Sequence, residues 1–172
     1  MGNLIGKSEL KDSLMKITES GRYILHPISA KSKMKYLIEI SNTEDVDLDL
    51  NNLVLDGSQE FVGCKVYRKE DIIVLRDGDK VDACIKITNC KNVTIRNGVI
   101  VNGYNRININ NSSQITIEDI KISAFHFEGL TILMENSDKI GIGKVEYLKE
   151  NSDFITYIHN HPCLIDNISA HS

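Results

Sequence analysis

An all-β fold, built as a coil of short parallel strands, is the class this 172-residue sequence predicts. Three observations predict it. Apolar residues alternate with polar ones in short runs, the period of a strand with one buried face. A frame, apolar-x-apolar-x-Asn-x-x-x-apolar-x-apolar, recurs along the chain. Its Asn marker returns about every 24 residues, the spacing of a repeat architecture. A helical period of 3.6 is missing from these segments.

The elements follow in order. Ser8 can cap a helix that carries Leu10, Leu14 and Ile17 on one face, with Gly21 just past its end. Residues 1–21 are therefore expected to form a tail and a short capping helix over the first turn, where open strand edges would invite aggregation. Residues 22–172 are expected to form the coil, and the whole chain a single domain. Its first unit is Ile38-Glu39-Ile40, Asn42, Val46-Asp47-Leu48. A weaker unit follows at Cys64-Lys65-Val66 and Ile72-Ile73-Val74, with Arg68 in the marker slot. Clear units begin at Ile85, Ile107 and Ile132, with markers Asn89, Asn111 and Asn136. A frayed one ends at Ile158-His159-Asn160. Each unit adds a third short strand after a polar turn, as in Asn97-Gly98-Val99, Asp119-Ile120-Lys121-Ile122 and Asn167-Ile168. Parallel pairing of each strand with its copy stacks inward residues into columns, one of them Ile40, Ile87, Ile109, Met134 and Ile158. About six turns result.

Composition sets bounds. Twenty basic against 24 acidic residues leave a net charge of −4, the wrong sign for a domain-wide nucleic-acid footprint. With 41% hydrophobic and 26% charged residues, the chain has enough apolar side chains to order itself. No apolar run reaches the roughly 18 residues of a membrane span, and the N-terminus has no secretory apolar core. Cytoplasmic synthesis is expected. Cys64, Cys84, Cys90 and Cys163 form no C-x-x-C pair and are expected to be reduced, with those on apolar faces in the core.

The stretch from Ile85 to Gly103, and the frame it repeats, resembles the right-handed parallel β-helix, or pectate-lyase-like, superfamily over about residues 22–170. That resemblance implies a right-handed single-stranded parallel β-helix. The superfamily holds polysaccharide lyases and hydrolases, phage tailspikes, adhesins and structural virion proteins, so the fold leaves the function to the site.

Polysaccharide-cleaving members place acids at a long third turn and on the strand after it. The matching positions are His126-Phe127-Glu128-Gly129-Leu130 and Ser152-Asp153-Phe154. Glu128 and Asp153 stand one turn apart, and strands spaced by about 4.8 Å put two such carboxylates within the roughly 5–10 Å that glycoside hydrolysis uses. The pair is similar to the Asn-Thr-Asp-Gly and Asp-Asp motifs of polygalacturonases. The Gly-His-Gly and Arg-x-Lys motifs of that family are not found, and the double Asp is a single Asp153. The outward row expected beside these acids, Glu39, Lys65, Lys86, Asn108, Leu133 and Tyr157, is mixed in character.

Three other clusters stand out. The markers Asn42, Asn89, Asn111, Asn136 and Asn160, and a second column of Asn52, Asn97, Asp119 and Asn167, are expected to be structural ladders, because side-chain amides satisfy turn backbone and tolerate left-handed conformations. Asp45, Asp47 and Asp49 are expected to form a charged outer face rather than a Ca²⁺ site. His159 and His161, close to Cys163, are candidate ligands for a divalent metal, and a threefold assembly would bring six histidines together. No other cofactor is expected.

The leading functional expectation is a non-enzymatic structural or attachment subunit of a virus or phage. Residue usage fits an AT-rich genome, with 25 Ile, 16 Asn and 15 Lys. A carbohydrate-active enzyme using Glu128 and Asp153, with His126 nearby, is the alternative. A homotrimer is expected, by resemblance to viral β-helices and because the last turn shows no cap over Leu164, Ile165 and Ile168. Burying each is worth roughly 1.5–3 kcal/mol. Other virion proteins or a surface glycan are the expected partners.

Overall fold

The computed structural model describes residues 12–29, 34–58, 63–66, 80–122, 132–143, 145–147, 164–165 and 168–169. Ile, Val and Leu at every second position make these segments strands, since branched side chains pack well on a half-buried pleated surface. The strands are β1 Ser13–Ile17, β2 Gly21–Ile24, β3 Ile28–Ser29, β4 Tyr36–Ser41, β5 Glu44–Asp49, β6 Leu53–Asp56, β7 Gly63–Val66 and β8 Ala83–Thr88. They continue as β9 Lys91–Val101, β10 Asn105–Asn110, β11 Ser113–Ile122, β12 Ile132–Glu135, β13 Asp138–Ile142, β14 Val145–Tyr147, β15 Leu164–Ile165 and β16 Ile168–Ser169. No helix occurs among the described residues.

The fold is all-β with parallel sheets. One sheet stacks β1, β4, β8, β10 and β12 in that order, every pair parallel. The other stacks β2, β5, β9, β11, β13 and β15, also in parallel. The C-terminal halves of the long strands β9 and β11 continue a third line, with β6 on one side and β14 and β16 on the other. The chain thus alternates between sheets, and each strand meets its own copy one circuit later. Gly98 marks the bend within β9. A Cβ there would lie 2.5 Å from Leu50 Cβ, so only glycine lets the two circuits approach this closely.

The predicted inward column is formed. Ile40 aligns with Ile87, Ile87 with Ile109, and Ile109 with Met134, all buried. Ile158 lies outside the described residues. Parallel columns run through Ile38, Ile85, Ile107 and Ile132, and through Val46, Val93, Ile115 and Ile140.

Two expectations are corrected. The capping helix is not formed over Leu14 and Ile17, because Ser13–Ile17 is strand β1. Ile17 aligns with Ile40 and extends the inward column by one member, while Lys16 aligns with Glu39 and reaches it at 3.3 Å. The free edge of β4 needs backbone partners, and a strand supplies them where a helix packed across it would not. Gly21, with φ 146°, opens β2 rather than closing a helix. Ser8 and Leu10 lie outside the described residues. The Cys64 unit is also no member of the stack. β7 runs antiparallel to β6 and to β3, while β4 pairs directly with β8. The markers Asn42 and Asn89 are 47 residues apart and hydrogen-bonded. Two apparent repeats are one circuit plus an excursion that leaves after β6 and returns at β8.

Candidate functional site

The turns give the polar chemistry of the molecule. At the first turn, Asn42, Asn89, Asn111 and Asn136 have φ of 53, 54, 48 and 48°. Asn occupies this left-handed region at lower cost than other side chains. Asn89 Nδ2 donates to Asn42 Oδ1 at 2.9 Å, one rung of a ladder between circuits. Asp45, Asn92, Gln114 and Lys139, three residues after each marker, are left-handed as well. This second set carries a weaker signal in the sequence because its residue types differ. One position past the marker, Cys90, Ser112 and Ser137 form a buried small-residue column. Ser112 Oγ accepts from the Cys90 amide at 3.0 Å and donates to the Asn110 carbonyl at 2.8 Å. Ser137 repeats both bonds one circuit on. At the second turn Asn52, Asn97 and Asp119 are left-handed, and Asn97 Nδ2 donates to Asp49. Every described member of both columns is left-handed, and one amide–amide rung, Asn89 to Asn42, is formed in the first. Asn160 and Asn167 lie outside the described residues.

The outer faces are knitted between circuits. Arg96 Nη2 lies 2.9 Å from Asp47, its Nε lies 3.8 Å from Asp49, and Arg22 Nε lies 3.6 Å from Asp47. Asn92 donates to Asp45 at 2.6 Å. The three aspartates are thus spent on neighbouring circuits, the charged face that the sequence predicts. On the first sheet the outward row is Lys16, Glu39, Lys86, Asn108 and Leu133. Lys86 Nζ stands 4.4 Å from the centre of the Tyr36 ring and donates to its hydroxyl. Lys65, expected in this row, sits on β7, and Tyr157 lies outside the described residues.

The third turn differs. Here β9 ends at Val101, and Asn102, Gly103 and Tyr104 lead into β10. Asp56 Oδ1 accepts from Asn102 Nδ2 at 2.9 Å and from the Ser58 amide at 3.1 Å, and all three residues are buried. Gly57 and Gly103 let the chain close around Cys84. A Cβ on Gly57 would lie 2.9 Å from Cys84 Sγ, and one on Gly103 would lie 2.7 Å from it. Burial pushes the Cys84 thiol, and the Cys64 thiol, up to about 12. Both are unreactive core residues at neutral pH. In the slot that holds Leu37 and Cys84 in the preceding circuits stands Arg106, buried and on the same register. The sequence signal that marks Arg106 is a charge in a column of apolar side chains, visible only once the copies are aligned.

Glu128, Asp153, His126, His159, His161 and Cys163 lie outside the described residues. The third-turn cluster of Asp56, Ser58, Cys84, Asn102 and Arg106 is therefore the candidate site that the described residues assemble. No family model, curated protein or solved structure matches the chain. Among the described residues no helix is long and apolar enough to cross a membrane.

Proposed function

We propose that the chain is a right-handed parallel β-helix of about six turns that serves as a non-enzymatic structural or attachment rod, assembled as a homotrimer in the virion of a virus or phage. One observation carries this reading: charged side chains of the outer faces pair across circuits. Arg22, Asp47, Arg96 and Asp49 link three circuits, Lys16 holds Glu39, and Asn110 holds Glu135. Each exposed pair contributes little by itself. Repeated along the stack, they lock neighbouring circuits in register, which suits a stiff spacer. The partners fitting this role are other virion proteins or a host glycan.

The competing reading is a carbohydrate-active enzyme using Glu128 and Asp153, with His126 beside them. It draws support from the third turn, where buried polar groups gather in place of a plain ladder. Two experiments separate the readings. Light scattering at micromolar concentration is expected to give three times the 19.3 kDa chain mass, and a monomer would sink the assembly. Incubation with polygalacturonate or host glycans is expected to release no reducing ends. Release that Glu128→Gln abolishes would establish the enzyme instead.

A further inference from the structure

The third turn holds a buried cation whose counter-charge the described chain does not provide. Arg106 is 3% exposed. Among the described residues its guanidinium makes one hydrogen bond, from Nη1 to the Tyr104 carbonyl at a long 3.4 Å, and Nε has no partner. No described carboxylate forms an ion pair with it. Asp56, the buried acid of the same turn, has Oδ1 occupied by Asn102 and Ser58. Cys84, aligned with Arg106 on the next strand, is held as the neutral thiol by burial. A guanidinium has five N–H donors, and taking it out of water without a partner is strongly unfavourable. The repeat does not demand a charge here, since Leu37 and Cys84 fill the equivalent slots.

We infer that the Arg106 guanidinium binds an oxyanion at the third turn, a carboxylate or a tetrahedral anion such as sulfate. The planar fork of a guanidinium matches two oxygens of either group, and the bond is strongest where water is excluded. Tyr104, whose carbonyl accepts from Arg106, is 46% exposed, so the same turn reaches solvent two residues away. Desolvation lowers the pKa of Arg106, the cost that a bound anion would offset. The inference holds under either functional reading, because an anion can belong to an attachment ligand or to a substrate.

The test titrates sulfate, and separately acetate, into the full chain at constant ionic strength with chloride as the balance. Calorimetry is expected to give one site per chain for at least one of the two. The melting temperature is expected to climb with that anion by roughly 5–10 °C at a hundredfold excess over Kd. A response to sulfate alone assigns a tetrahedral ligand, and a response to acetate alone a carboxylate. Arg106→Met is expected to melt cooperatively and to be indifferent to both anions. Arg106→Lys keeps the charge without the fork and is expected to bind at least tenfold more weakly, which decides the matter should the Met variant fail to fold. Equal anion responses in wild type and variants, or no binding by wild type at tens of millimolar, would overturn the site.

Discussion

At the first turn Asn89 bonds to Asn42, and Ser112 bonds to the backbone of Cys90, its own counterpart one circuit back. At the third turn Asp56 bonds to Asn102 and Ser58, and Arg106 aligns with Cys84 and Leu37, no two of one type. The first arrangement repeats because every group finds its partner in a copy of itself. The second joins unlike residues that the same parallel register brings together, Asp56 opposite Val101 and beside Asn102, and Arg106 aligned with Cys84. Repetition gives uniform stability, whereas the one-off corner collects buried charge and close backbone contacts. Among the described residues, this corner is one place where unlike side chains stand in equivalent slots.

The sharpest way to break this comparison is at the shared core. Ile109→Asp buries a carboxylate inside a column of five aligned apolar side chains and is expected to cost several kcal/mol. A thermal melt followed by circular dichroism reads it, and a melting temperature equal to that of the parent would refute the register.

Alkaline pH should strike the third turn next. The Cys84 and Cys64 thiols have folded pKa values of about 12, above the unfolded value near 9. The folded state therefore holds its protons longer. The stability this represents is present below about pH 9 and is lost as pH rises toward 12, by roughly 1.4 kcal/mol per pH unit for each thiol. Urea titrations between pH 8 and 11 should show the loss, and Cys84→Ala should make its slope shallower.

Gly103→Ala comes third, at about 2 kcal/mol. The added Cβ would meet the Asn105 carbonyl at 2.5 Å as well as Cys84 Sγ, and backbone yields less than side chain. A midpoint in urea within error of wild type would mean the corner is looser than its contacts imply. Ser112→Ala is the mildest, at about 1–2 kcal/mol, because it strands the Cys90 amide that Ser112 Oγ receives. Combined with Ser137→Ala it should cost less than the two losses added, since each hydroxyl serves the next rung of one ladder. Strict additivity would show the rungs to be independent.

How far the sequence can be read follows from the same contrast. The inward columns and the left-handed Asn markers are legible because a period-2 strand and a fixed Asn offset leave one way to stack the copies. Ile17 was hidden because Leu10, Leu14 and Ile17 suit a helix face as well as a strand, and only the need of β4 for an edge partner decides between them. The Cys64 unit misled for a different reason. Its alternation is real, but alternation does not encode direction, and 47 residues is close to two periods. Arg106 stands out only once the copies are aligned, because its significance lies in what surrounds it. The acids and histidines that chemistry singled out lie outside the described residues, and the third-turn cluster is built from other positions.

The excursion between β6 and β8 leaves and returns at one point. The Val81 amide donates to the Gly57 carbonyl at 2.8 Å, and Gly57 donates to Val101 on the following circuit. The stack therefore closes across positions 57 and 81 as tightly as it does across the three residues Asn102 to Tyr104. Between that pair, β7 still belongs to the body of the fold, paired with β6 and β3 and holding Cys64 in the core. What reads in the sequence as an inserted repeat is fastened to the coil along one strand, so a change at Cys64 is felt in the core that the circuits share.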